Sequence, residues 1–562
     1  MPTTVNQAEE QLREAILAAA GEAVAAGELP AEPIPAFTVE VPADRAHGDF
    51  AANAAMVSAR AFRQPPRKIA ETLLRHLCLE GTYLERAEVA GPGFLNFFLS
   101  PAYYGAVVDE VLRGGQAYGR SDYGRGKKVL VEFVSANPTG PMHIGNARGG
   151  AIGDALASVL EAAGYGVARE FYINDAGNQI NKFGLSLSLR YLELYQDGIE
   201  MPEDSYHGQD IIDHAKAFAA LHGDKYVGEN EEVRRRALVE YALPLNVEGL
   251  ERDLLKYRIR YDCWFRESAL HENGEARRVV DMLTERGYTY ESEGAVWFRA
   301  TDFGADKDFV LVRSNGFLTY VVPDIAYHYN KLVTRGYDKA VDVLGADHHG
   351  YVPRLKAALQ ALGIDPSRLD VVLMQMVRLI RDGEVVKASK RSGKAITLVT
   401  LLEEIPIDAA RFYFNLREAN SQFDFDLDLA IEQSASNPVY YVQYAHARIC
   451  SIFKNLAAEG MAPRPCSSGE LGLLAAPEEK ALIRNLGAFT GEIIAAAKDY
   501  DPSRLTRYCL ELASLFHKFY NSCRVKGEDE PLMQARLALC GAARIILRNA
   551  LELLKITAPE TM

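Results

Sequence analysis

The chain has 562 residues, enough for three to four domains at about 150 residues each. Hydrophobic residues make up 48% and charged residues 25%, which excludes disorder, collagen-like repeats and low complexity as descriptions of the whole. The 76 Asp+Glu against 62 Lys+Arg leave −14, a sign that argues against a polyanionic partner, since phosphate binding is mostly cationic.

Residues 1–115 read as a small N-terminal α/β domain. An amphipathic pattern from residue 7 to about 26 predicts a helix. Pro30, Pro33 and Pro35 follow, and alternation at Phe37, Val39 and Val41 predicts a strand. Residues 91–99 read as a turn feeding another strand, and the glycine- and charge-rich stretch 114–128 as a linker.

Residues 116–405 carry the pattern of a nucleotide-binding, Rossmann-like α/β domain. The β-branched run 128–134 suits a buried strand. It enters a loop, 135–146, that holds Gly140 and Gly145, and a helix is predicted from about 147 to 163. Strand, glycine-bearing loop and helix open such a domain. Residues 340–345 and 371–377 are predicted strands, with a helix at 355–362 between them. The stretch of about 186–300 is rich in charged helical patterns and reads as an insertion. Residues 406–562 show Leu and Ala at helical spacing and read as an all-α bundle.

Seven cysteines are scattered, with no Cys-x-x-Cys and no zinc-like Cys/His spacing. Neither a basic segment before an apolar run near the start nor a membrane-length apolar window is present. A cytoplasmic protein with reduced thiols is expected.

Two loops carry chemistry. His143-Ile144-Gly145-Asn146 sits between a strand and a helix start, where free N–H groups and the helix dipole favour anions. Glycine lets the backbone approach a ligand, and His143 can donate to a phosphate oxygen, with its charge expected to rise there. Lys387-Ala388-Ser389-Lys390-Arg391-Ser392-Gly393-Lys394 contains no acid. Between Arg378 and Lys394, six Lys/Arg face two Asp/Glu, a local +4.

Taken together, these loops resemble the paired signatures of class I aminoacyl-tRNA synthetases, which grip ATP and stabilise in-line transfer to form an aminoacyl-adenylate. The resemblance narrows to the arginyl-tRNA synthetases and spans nearly the whole chain. It rests on the blocks 135–141 (SANPTGP), 172–180 (YINDAGNQI) and 261–268 (YDCWFRES). Blocks 319–327 (TYVVPDIAY), 345–350 (GADHHG) and 437–448 (NPVYYVQYAHAR) complete it.

That resemblance implies ATP-dependent activation of L-arginine and transfer to the 3′-terminal ribose of tRNA(Arg), with activation requiring bound tRNA. It implies His143, Asn146, Lys387 and Lys390 as catalytic groups, with Gly140, Gly145 and Ser389 joining them at ATP. Glu267, Asp324 and Tyr320 would face the guanidinium. Glu132, Ser135 and Asn137 would hold the α-amino end, with His348 nearby. Tyr440, Tyr444, Arg448, Asn521 and Met562 would contact tRNA, where aromatics and Arg stack on unpaired bases. The N-terminal domain would meet the tRNA elbow. Mg²⁺ would arrive with ATP, no protein-bound zinc is expected, and the family expectation is a monomer.

Arginine presents five N–H donors and a permanent charge, so a selective pocket needs carboxylates for bidentate pairing. Such polar selection can reject analogues by about 10⁴–10⁵, and no editing domain is expected. Two departures stand out. Asn146 replaces a usual second histidine, and Ala388 a common methionine. A cysteinyl synthetase would need a thiol-bound zinc site. A nucleotidyltransferase would have no use for the helical tail, and an inactive tRNA-binding paralogue would have lost the loop lysines or pocket acids. The −14 remains compatible with RNA if contacts are confined to local patches such as 378–394, Lys127, Lys128, Arg504 and Arg507, because fields decay within about 8 Å.

Overall fold

The computed structural model describes residues 3–386 and 396–562. A parallel five-stranded sheet organises the centre. Its strand order is Leu369–Met374, Lys339–Gly345, Lys128–Phe133, Gly166–Ile173, Cys263–Arg266. The chain enters at the middle strand, builds outward on one side, then returns to build the other. The order reverses between Lys128–Phe133 and Lys339–Gly345. In open α/β sheets, ligands bind outside the carboxyl ends of strands at that reversal.

Lys128–Phe133 is buried along its whole length after Lys128, as its β-branched composition leads one to expect. The helix Ile144–Ala162 follows it and is buried almost all round. Its glycines allow this. A Cβ on Gly153 would sit 2.2 Å from Phe133 Cγ, and one on Gly150 would sit 2.8 Å from Ile259 Cδ1. The glycines leave room for the Phe133 and Ile259 side chains to pack directly against the helix backbone.

The N-terminal unit packs the helix Thr4–Ala25 near a four-stranded antiparallel sheet ordered Val39–Glu40, Phe50–Ala52, Phe94–Leu99, Leu84–Ala90. The helices Gly177–Leu192, Gln209–His222 and Glu231–Lys256 form a satellite around their own core, which includes Phe183, Tyr191, Phe218 and Leu238. The stretch 186–300, read as a helical insertion, also contains the edge strand Cys263–Arg266 of the sheet itself. Two strands of a separate antiparallel sheet, Thr289–Ser292 and Ala295–Phe298, lie there too.

The apolar run 371–377 does not form one strand. The parallel strand ends at Met374, and Val377–Arg381 begins another sheet, pairing with Glu384–Val385 and with Phe423–Asp426. That last strand lies inside the region read as all-helical. Four long helices, Pro438–Ala458, Pro477–Asp499, Ser503–Ser522 and Glu530–Leu553, form the bundle. Arg411, fully buried, ties it to the helix Ile144–Ala162 that packs on the sheet. Its guanidinium donates to Asp154 Oδ2 at 2.5 Å, Leu554 O at 2.8 Å and Tyr257 O at 2.9 Å. Among the described residues no helix is long and apolar enough to cross a membrane.

The close helix–strand contact gives a direct test. Gly153→Ala should push the helix off Phe133 and cost about 1–3 kcal/mol as an overpacked core, read as a lower midpoint in denaturant unfolding.

Candidate active site

A cavity of about 740 Å³ opens at the strand-order reversal, lined by Glu132, Ser135, His143, Asn146, Asp324 and His348 among others. It continues in two directions. One lobe, about 760 Å³, shares Ser135, His143, Asn146 and His348 and reaches Asn137 and Gly140. The other, about 1130 Å³, shares Tyr172 and Asp324 and reaches Glu267 and Tyr320. All the described pocket residues expected from sequence thus line one crevice, and Gly145 lies in its wall. Lys387, Ser389 and Lys390 lie outside the described residues.

Backbone strain marks the end of the first strand. Val134 has φ +70° and Ser135 φ +41°, and the Ser135 N–H donates to Phe133 O at 3.0 Å. This is a γ-turn of the rare hand, centred on a β-branched residue that disfavours positive φ. Such strain persists only where the surroundings enforce it. Here it turns Ser135 back over the sheet. Its hydroxyl donates to Glu132 Oε1 at 2.8 Å and accepts the Tyr172 N–H at 3.1 Å.

Beneath the turn, three acids stand side by side. Asp342, Glu132 and Glu170 are register partners on adjacent strands. Lys331, fully buried, places Nζ 2.5 Å from Glu132 Oε2 and 2.9 Å from Asp342 Oδ1. Burial alone would lower the Lys331 pKa, but Asp342 and Glu132 outweigh it and raise it to about 12. Asp342 also meets His328 Nε2 at 2.7 Å. Burial works against the charged Asp342, yet Lys331 and His328 hold its pKa well below the usual range. Arg335 pairs with Glu170, and so does the Tyr327 hydroxyl at 2.5 Å.

Sequence reasoning missed Lys331, Arg335 and His328. Lys331 lies in a π-helical turn, Asn330–Thr334, which extends the helix Val321–Tyr329 and swings the side chain inward. One signal was available, because Asp342 interrupts an otherwise apolar buried strand and so requires a partner.

At the far lobe, the Tyr172 hydroxyl donates to Glu267 Oε2 at 2.8 Å and the Tyr351 hydroxyl donates to Asp324. Burial raises the Asp324 pKa from 3.8 to about 6, with Glu132 and Glu267 adding to it and Tyr351 and His328 opposing. Burial and the neighbouring acids therefore favour the protonated form of Asp324. Tyr320 stands at the rim, 71% exposed, with its ring 6.0 Å from Tyr351.

At the other end, His143 is the N-cap of the helix, which begins at Ile144 and not near 147. Its Nδ1 accepts the Gly145 N–H at 3.0 Å, and Asn146 Oδ1 accepts the His143 N–H at 3.1 Å. This reciprocal capping box leaves His143 Nε2 and Asn146 Nδ2 as donors. A side chain on Gly145 would lie 2.9 Å from the His143 ring, which explains the glycine. Gly140 has no such close neighbour. Burial lowers the His143 pKa, which favours the neutral ring that the cap uses.

On the bundle, the Tyr440 and Tyr444 rings stack 6.2 Å apart at 6°. His517 lies 5.1 Å from Tyr441, and Arg448 lies over Tyr444 at 5.3 Å and Tyr520 at 4.9 Å. Asn521 is exposed nearby in sequence, and Met562 is half exposed at the chain end. Four arginines of the positive patches expected from sequence are paired with acids. Arg504 pairs with Asp499, Arg507 with Asp501, Arg378 with Asp424 and Arg381 with Glu404.

A parallel sheet with its crevice at the order reversal, a histidine-capped helix below it and a helical bundle after it define a class I tRNA synthetase. The family model for the class I (R) tRNA synthetase catalytic domain matches residues 107–452. Models for the arginyl-tRNA synthetase N-terminal domain and the DALR anticodon-binding domain match 7–99 and 442–562. The arginine–tRNA ligase of Caldanaerobacter subterraneus is 56% identical over the full length of both chains. That of Acetivibrio thermocellus is 51% identical, again covering both chains fully. The arginyl-tRNA synthetase of Thermus thermophilus, 24% identical, shares the fold with a TM-score of 0.74 over 98% of this chain and all of its own. The chain belongs to the arginyl-tRNA synthetase family.

Ser135→Ala should strand the buried Tyr172 N–H and loosen Glu132. A loss of about 1–3 kcal/mol of stability is expected, measured by denaturant unfolding.

Proposed function

We propose that the chain activates L-arginine with ATP to arginyl-adenylate and passes it to the 3′-terminal ribose of tRNA(Arg), releasing pyrophosphate and AMP. The observation that carries this reading is the acid surplus around Asp324. Two carboxylates, Asp324 and Glu267, face one lobe, each accepting from a tyrosine hydroxyl, with the His271 ring 3.6 Å from Glu267, and the planar, singly charged fork of guanidinium N–H groups would pair with both. Tyr320 would cover the guanidinium from the rim.

Glu132 and Ser135 would receive the α-amino group, with Asn137 and His348 closing that end. This places the arginine carboxylate toward the histidine-capped helix. There the carboxylate oxygen attacks the α-phosphorus of ATP, and pyrophosphate leaves. His143 Nε2, the Asn146 amide and the first helical N–H groups, with Gly140 and Gly145 permitting close approach, would stabilise the phosphate charge that develops. Lys387, Ser389 and Lys390 are assigned to the same phosphates on sequence alone. ATP enters as its Mg²⁺ complex. Tyr440, Tyr444, Arg448, Asn521 and Met562 would read unpaired tRNA bases by stacking and terminal contacts. A monomer acting in the cytoplasm completes the reading.

The test is aminoacylation of total tRNA with each amino acid. Charging with arginine alone is expected; charging with lysine at a comparable rate would refute the site assignment.

The Asp324 pKa gives a pH dependence with a definite sign. A guanidinium needs the ionised carboxylate, whereas below about pH 6 Asp324 holds a proton. Arginine affinity should therefore fall by about tenfold at pH 5 relative to pH 7, measured by calorimetric titration. Stability of the folded chain runs the other way at this group. The folded carboxyl binds its proton more tightly than the unfolded one, so that contribution grows as pH falls from 6 toward 4.

Removing one stacking surface should weaken tRNA alone. Tyr444→Ala is expected to cost about 1–3 kcal/mol in tRNA affinity, with the ATP and arginine KM values unchanged.

A further inference from the structure

Arg148 lies on the helix that His143 caps and is fully buried. A buried guanidinium normally meets a carboxylate. Here no carboxylate among the described residues pairs with it. Its three polar contacts are backbone carbonyls: Gln375 O at 2.5 Å, Glu418 O at 3.0 Å and Ser421 O at 3.1 Å. Its Nε has no partner, and the Phe423 ring lies 5.1 Å from its guanidinium carbon. Burial without a counter-ion lowers its pKa to about 10. Such a costly group is explained poorly as stability alone, since an apolar side chain would fill the space without the charge.

What the three carbonyls have in common is position. Gln375 falls in the break where Met374 ends one sheet and Val377 begins another. Its N–H donates to Ala419 O at 2.9 Å, beside the other two carbonyls. No ladder holds residues 375 and 376, so Arg148 supplies what the sheet does not. Gln375 and Met376 form the cavity wall facing Gly145. The Met376 sulfur lies 3.9 Å from the point where a Cβ on Gly145 would stand, and the residue is 63% exposed. The width of the crevice at its nucleotide end is the gap between that wall and the capped helix.

We propose that Arg148 is a positioning residue for the nucleotide, fixing the Gln375–Met376 wall at a set distance from the helix that His143 caps. This rests on the reading of that end of the crevice as the ATP site. The planar fork is needed because one cation must reach carbonyls from two separate segments, 375 and 418–421. An ammonium can donate three times but not across that span.

The test uses the full chain with Arg148→Lys and Arg148→Met, assayed by ATP–pyrophosphate exchange with tRNA present. The expected result is an ATP KM raised about tenfold or more, with arginine KM within about twofold of the parent. Arg148→Met should be worse than Arg148→Lys. If these variants do not fold, Phe423→Leu decides. It leaves the guanidinium and its carbonyls in place, removes the ring beneath them, and should raise the ATP KM several-fold alone. Folded variants with unchanged ATP KM, or with ATP and arginine KM raised together, overturn the proposal. Absence of arginine-dependent exchange in the parent chain would instead overturn the functional reading.

Discussion

The ammonium of Lys331 holds the crevice in its present form. Asp342, Glu132 and Glu170 are direct neighbours across three parallel strands, all buried. Like charges placed opposite one another destabilise a sheet, and buried ionised carboxylates without partners are costlier still. Lys331 stands between the first two, and Arg335, four residues on, takes the third. Both cations come from one short π-helical turn and its exit. The ring of Tyr327 backs the ammonium at 4.0 Å. A single irregular turn therefore makes a row of acids compatible with a sheet core.

That neutralisation has a directional consequence. With Glu132 and Asp342 satisfied from below, Glu267 and Asp324 on the opposite lobe have no lysine or arginine partner among the described residues. Each accepts from a tyrosine hydroxyl, which stabilises a carboxylate but carries no charge, and His271 stands 3.6 Å from Glu267. The raised Asp324 pKa is the measure of the deficit. A ligand is thus favoured in one orientation, with its strongest cation at the Asp324 end. Selectivity follows from unpaired acceptors rather than shape, because a ligand with fewer donors leaves carboxylate oxygens buried and unsatisfied.

The sequence made the core strand, the capped loop and the helical tail legible for a physical reason. Each is written locally, in β-branched runs, glycine placement or helical periodicity. The pocket acids were legible through family motifs, since a lone carboxylate says nothing about where it points. The π-turn was not legible. Lys331 reads as an ordinary surface lysine at a helix end, and only tertiary structure turns it inward. The break at residues 375–376 was hidden in the same way, because an unbroken apolar run gives no sign of changing sheets. Arg504 and Arg507 looked like free positive charge because their acidic partners, Asp499 and Asp501, lie in the preceding turn, where pairing depends on backbone direction.

The helix Ile144–Ala162 joins these themes. Its N-terminus supplies donors at the His143 end of the crevice, and Arg148 reaches the far wall. Gly153 seats it on the central strand, and Asp154 binds Arg411, whose other contacts are the end of the satellite helices and the end of the bundle. One rigid element thus touches the crevice, the sheet, the satellite and the bundle. It has almost no exposed face on which to shift. Because close-packed interiors transmit displacement rather than absorb it, a movement of the bundle relative to the sheet has to pass through the Asp154–Arg411 contact. The element receiving it is the same one that carries His143.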